Sequence, residues 1–284
     1  MNRLRLVAST AAIALGLGLG LSLDAEAHEF WIDPVPFQPE VAGSSIRADL
    51  RVGQGFSAEA YPYLSSNFHT FRLAVRGQAY DVRGNEGDVP AIDVKPAPAG
   101  LSVISYYGKP NRVTFEDAAL FASYLELEGL GWVTKAHAAR GLPAVGFTEA
   151  FSRNVKSLVQ TGPVSAEDVD IVTGMPFELV AGRNPHADPA QETLPVTLLW
   201  QGQPAADIQI TIFQDAGFQD AGSKNAGTPT RQVLRTDAEG KATIPLAGGG
   251  RFILNAVHMR EAPAELDAAW ESHWASLTFA LPKR

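Results

Sequence analysis

The chain has 284 residues, with 31 acidic against 23 basic side chains, a formal net charge of −8 and no cysteine. That acidity, with no Lys/Arg cluster, excludes a nucleic-acid surface or an anionic-membrane surface. The missing thiols exclude disulfides, thiolate metal sites, iron–sulfur clusters and cysteine nucleophiles, which leaves a metal only nitrogen and oxygen ligands and three methionines.

Arg3 and Arg5 are followed by an apolar run through Leu23 and by Ala25-Glu26-Ala27. A charged start, a short apolar middle and an A-x-A site predict a cleaved secretory signal over 1–27 and a periplasmic chain starting at His28. No membrane span is expected after cleavage, and 257 residues (284 − 27) leave room for two compact domains. At a free terminus His28 carries an α-amine titrating near ~8 and an imidazole near ~6.5, which together can chelate a divalent metal.

Residues 46–52 and 71–76 alternate apolar and polar with period two, and 100–107 reads as a further strand beyond the turn cluster at 84–88. Thr114 with Asp117 three residues on reads as a helix cap, so a helix is predicted over 114–128. It places Phe115, Ala118, Phe121 and Leu125 on one face, with Gly129 as its stop. Phe151, Val155 and Leu158 at i, i+4, i+7 predict a second helix over 149–160, ended by Thr161-Gly162-Pro163. On that helix Glu149 and Arg153 are spaced for an ion pair, and Arg153 with Lys156 forms a candidate anion-binding pair. Residues 129–146, with Trp132 and His137, read as a loop.

Strand patterns return at 195–200, 208–213, 242–246 and 252–258, with turns at 201–204 and 236–240 and an exposed loop at 214–230. The expected fold is mainly β. Two antiparallel β-sandwiches of immunoglobulin-like or prealbumin-like type would span 28–170 and 171–284, with a short helical insertion between them.

Several stretches occur together: Ala27-His28-Glu29-Phe30-Trp31, the run from Glu149 to Lys156, Asn184-Pro185 after Phe177-Glu178-Leu179-Val180, the strand ending Ala256-Val257-His258, and the tail from Trp270 to Phe279. In these the chain resembles a bacterial periplasmic family of unknown function associated with the periplasmic component of cobalt/nickel uptake. The likeness runs over the whole mature chain. It implies an aromatic residue at position 273, where this chain has histidine. Residues 195–256 separately resemble the carboxypeptidase-regulatory-like or transthyretin-like module, which carries no chemistry of its own.

Phe30 occupies the third mature position, so a square-planar amino-terminal chelate is excluded and an amino-terminal site must recruit a distant residue. His258, after an apolar strand, is the expected partner. One amine and two imidazoles suit Cu(II), or Ni(II) and Co(II) with added oxygens. Glu271 is a candidate oxygen ligand or a carboxylate orienting an imidazole, and His273 is a further candidate. His69, His137 and His186 read as solvated.

The expectation is a periplasmic protein that binds a divalent transition metal (nickel, cobalt or copper) for uptake or handling. Its partner would be an inner-membrane metal transporter or an outer-membrane receptor. The alternatives are a metal-free binding or scaffold module and a copper oxidase built on an amino-terminal histidine brace. No hydrolase elbow, zincin, P-loop or dinucleotide motif occurs, so an enzyme is not predicted.

Overall fold

Strand β1 (Glu29–Pro34) is buried at every residue, which fits EFWIDP as a segment packed on both sides. A computed structural model describes residues 29–39, 43–218 and 228–282; the predicted signal and His28 lie outside them. The chain continues through β2 (Ile46–Gln54), β3 (Ser57–Tyr61), β4 (Phe68–Val75), β5 (Gln78–Asp81) and β6 (Ile92–Val94). Next come β7 (Gly100–Gly108), β8 (Asn111–Phe115), α1 (Ala118–Leu127), α2 (Trp132–Ala139) and β9 (Phe147–Thr161). Then follow β10 (Phe177–Ala181), β11 (Thr193–Trp200), β12 (Gln203–Pro204) and β13 (Gln209–Asp215). The last are β14 (Thr230–Arg235), β15 (Lys241–Pro245), β16 (Gly250–Glu261) and β17 (Trp270–Leu281).

The fold is mainly β, as expected. One large sheet runs β14-β13-β16-β17-β9-β7-β4-β5, with β8 also on β9. Strands from both halves of the chain therefore share it, joined where β17 lies parallel to β9, from Trp270↔Glu149 to Thr278↔Ser157. Two small antiparallel sheets cover it. One (β1-β2-β3 with β6) packs Phe30, Ile32 and Ile46 on Ile104, Val155 and Val159. The other (β10-β11-β12 with β15) packs Phe177, Leu179 and Leu198 on Leu158, Leu254 and Leu277 from the opposite face. The first face also carries α1 and α2, whose Phe121, Leu125 and Val133 sit on Val257, Trp270 and Trp274.

Three local expectations change. The helix predicted over 149–160 is the central strand β9. Its Val155 and Val159 face one core and Leu158 the other, so the i, i+4, i+7 spacing samples two faces of a strand. Its polar residues Asn154, Lys156, Ser157 and Gln160 are buried. β-Branched and aromatic residues then fit the pleat. The first helix starts later than expected, because 114–115 belong to β8; Asp117 is its cap, accepting from the Ala119 N–H at 2.7 Å. The segment read as a loop over 129–146 contains α2, on which His137 is buried. Its Nδ1 accepts from Trp270 Nε1 at 3.0 Å.

Candidate functional site

β16 and β17 form a twelve-residue antiparallel ladder in which His258 stands directly opposite His273. Side chains of directly paired residues sit on the same face with Cβ atoms about 4.5–5.5 Å apart. This is the face covered by β10 and β11, since His258 rings against Phe177 (5.8 Å between centroids) and Trp200 (4.5 Å). Trp200, at the end of β11, also touches His273 at 4.7 Å. Glu271, two residues before His273 on β17, shares the face by strand alternation.

The two imidazoles are held differently. His273 is buried; its Nδ1 hydrogen-bonds Ser152 Oγ of β9 at 2.9 Å. Its Nε2 lies 3.1 Å from Glu271 Oε1 but makes no aligned hydrogen bond. The tautomer that donates Nδ1–H to Ser152 leaves the Nε2 lone pair available. Burial lowers the His273 pKa to about 4, against the opposing pull of Glu271. His258 is half-buried and held by ring contacts alone among the described residues; burial first, then the Arg260 charge, push its pKa down. The other oxygen of Glu271, Oε2, accepts from Arg260 Nε at 2.6 Å, and that guanidinium lies 5.5 Å from the Trp200 ring. Two neutral imidazoles, a carboxylate oxygen facing one of them and a partly covering indole thus meet on one ladder. Among the described residues no three His, Asp or Glu side chains stand ready in metal-ligand geometry.

Three of the expected metal residues, His258, His273 and Glu271, are therefore neighbours. The fourth, His28, lies outside the described residues. Its neighbour Glu29 belongs to β1, which runs over the opposite face of β17, with Ser276 and Thr278 donating to the carbonyls of Phe30 and Ile32.

The candidate anion-binding pair is separated. On strand β9, Arg153 and Lys156 project to opposite faces. Lys156 Nζ is buried against Asp170 (2.7 Å) and Glu178 (3.9 Å). Arg153 is half-buried among the rings of Phe30, Phe151 and Trp274, and desolvation lowers its pKa to about 10. Glu149 accepts from Ser272 Oγ and from Tyr124 OH. Burial raises its pKa to about 7.

Histidines read as solvated divide. His69 is exposed against Tyr107, whereas His137 and His186 are buried. Burial lowers the His186 pKa to about 4. Sequence reasoning missed Trp200 and Ser152, the residues that position the two imidazoles; strand pairing brings Ser152 to His273 across 121 residues, packing of β11 on the ladder brings Trp200, and no local pattern signals either.

Among the described residues no helix is long and apolar enough to cross a membrane. The profile of a domain of unknown function, DUF4198, matches residues 25–260, most of the chain. No curated protein matches it.

Proposed function

The chain belongs to the DUF4198 family, and from the His258–His273 ladder we propose that it binds a divalent transition metal outside the cytoplasm. The carrying observation is His273 Nε2, a buried ring nitrogen without an aligned hydrogen bond, 3.1 Å from a carboxylate oxygen. Two donors on one divalent ion, each roughly 2.1 Å from it, stand about 3 Å apart. His273 and Glu271 would hold the ion, with His258 as the third ligand. Ser152 anchors the His273 ring through Nδ1, and Arg260 fixes the carboxylate. Such a nitrogen and oxygen set suits nickel, cobalt or copper. The cellular role is metal uptake or handling, with a membrane transporter or receptor as partner. This reading rests on the β16–β17 ladder and not on the amino terminus.

Isothermal titration with Ni(II), Co(II), Cu(II) and Zn(II) tests it. Micromolar or tighter binding is expected, weakened at least about tenfold by His273→Phe and by His258→Ala. Copper will bind most tightly in solution whatever the physiological metal. An extra residue before His28 should leave affinity unchanged; loss of binding with that extension would move the site to the amino terminus. Absence of binding, or affinity unaltered by both His substitutions, would leave a metal-free scaffold as the better reading.

A further inference from the structure

A second concave site lies where the helices meet the edge of the large sheet, away from the histidine ladder. Glu128 caps α1 at its carboxyl end and lines a cleft of about 160 Å³ with Trp132, Asp207, Gln209, Arg235 and Val257. A cavity of about 150 Å³ takes a benzene-sized molecule, so this one has room for roughly six non-hydrogen atoms. Glu128 is 4 % exposed, and among the described residues its carboxyl group has one hydrogen bond, from Asn255 Nδ2 to Oε2 at 3.4 Å. Gln209 Nε2 donates to the Leu127 carbonyl at 2.7 Å and to Thr211 Oγ1 at 3.2 Å, which leaves its Oε1 as a second acceptor. Glycine at 129 (φ +69°) permits that approach, since a Cβ there would stand 2.6 Å from Oε1. The cations at the rim are already engaged. Arg235 Nε donates to Asp207 Oδ1 at 2.6 Å, and Arg231 Nη2 to the Leu127 carbonyl at 2.8 Å. The wall beside these acceptors is apolar: Val257 is buried, and the Trp132 indole is 52 % exposed with its edge set against Trp270.

A deep carboxylate short of donors, an amide oxygen and the carbonyl end of a helix dipole favour a positive group that donates hydrogen bonds. An open indole and an aliphatic wall favour carbon attached to that group. Among the described residues no three His, Asp or Glu side chains are placed to ligate a metal, which sets this cleft apart from a metal site. We propose that the cleft binds a small organic ammonium, with its N–H groups on Glu128 and Gln209 and its carbon chain along Trp132. The site is independent of the histidine ladder. Binding also moves a proton. Glu128 faces Glu29 on β1, Arg231 on β14 and Tyr124 on its own helix; desolvation first, then the Glu29 charge, raise its pKa to about 8 against the pull of Arg231. At pH 7 the empty cleft therefore keeps a proton on Glu128 in most molecules. The ammonium replaces that proton on the carboxylate, and the proton leaves to solvent.

Titration with pentylammonium chloride in EDTA, followed by the Trp132 indole N–H resonance, tests this. A saturable shift is expected at Trp132, while the Trp200 resonance at the ladder stays in place. Pentanol, of the same size but uncharged, should bind at least about tenfold more weakly. Ammonium affinity should rise about tenfold from pH 6 to pH 7, the factor by which the ionised fraction of a group titrating near 8 grows. At pH 8, Glu128→Gln should weaken binding at least about tenfold and remove the pH dependence. Absence of a saturable shift overturns the proposal, as does equal binding of pentanol. So does an affinity that is the same at pH 6 and pH 8, or one unaltered in Glu128→Gln. Displacement by an equal concentration of potassium chloride would make the cleft a general cation site and also overturn it. The pentanol and pH comparisons use the unsubstituted protein, so they decide if Glu128→Gln does not fold.

Discussion

Lys156 has no exposed side-chain surface, and its ammonium sits 2.7 Å from Asp170 Oδ1 and 2.9 Å from the Ile171 carbonyl. Asp170 is tied in turn by the backbone N–H groups of Ala181 and Ile171, so the pair fastens the segment between β9 and β10 to the sheet. Removing one partner leaves a buried charge without compensation. Lys156→Met should therefore destabilise the protein by about 3–5 kcal/mol, and removing the Asp170 charge as well should return part of that loss; urea denaturation measures both. In the sequence Lys156 reads as half of an anion-binding pair with Arg153. Its burial depends on Asp170 from the segment after β9 and Glu178 from β10, and that meeting has no local signature. His258, Glu271 and His273 were readable as candidates because chemistry-bearing side chains are few in this chain. Their mutual register was not.

Among the elements, short alternating strands such as β2 and β4 are legible because each has one core face and one wetter face. β9 is not, since two small sheets and two helices cover the sheet's faces around it and polar side chains serve as buried connectors. Turn chemistry is legible again at Gly250, where β16 begins. Its φ is +90°, and a Cβ there would stand 2.2 Å from the Asp215 carbonyl oxygen and 2.7 Å from the Ala216 Cα. Backbone atoms cannot yield as a flexible side chain can. Gly250→Ala is expected to lower stability by more than about 1 kcal/mol, through both the strained φ and the displaced β13–β16 pairing. Thermal melting measures the loss. The Gly43→Ala exchange, at φ +95° but with open space around it, should cost less.

For the molecule as a whole, the three buried glutamates set a pH dependence. Burial raises Glu29 to about 7, Glu128 to about 8 and Glu149 to about 7, from 4.5. The folded state therefore holds more protons than the unfolded chain between about pH 4.5 and 8. The stability these groups contribute is fully present below pH 4.5 and is lost as pH rises through 7–8. His186, lowered to about 4, acts in the other direction, losing stability as pH falls from 6.5 towards 4. Melting temperature should fall between pH 6.5 and 8.5, and Glu128→Gln should flatten that fall. A profile equally steep in the variant would remove Glu128 from the account.

The position of β17 bears on when folding can happen. Strand β17 lies at the centre of the large sheet, between β9 and β16, and among the described residues β9 has no other parallel partner. Until Trp270–Leu281 is available, the two halves have no ladder joining them and the cores on both faces lack a wall. Pairings this distant along the chain form late in any case. Whatever holds back β17 therefore holds back both cores at once.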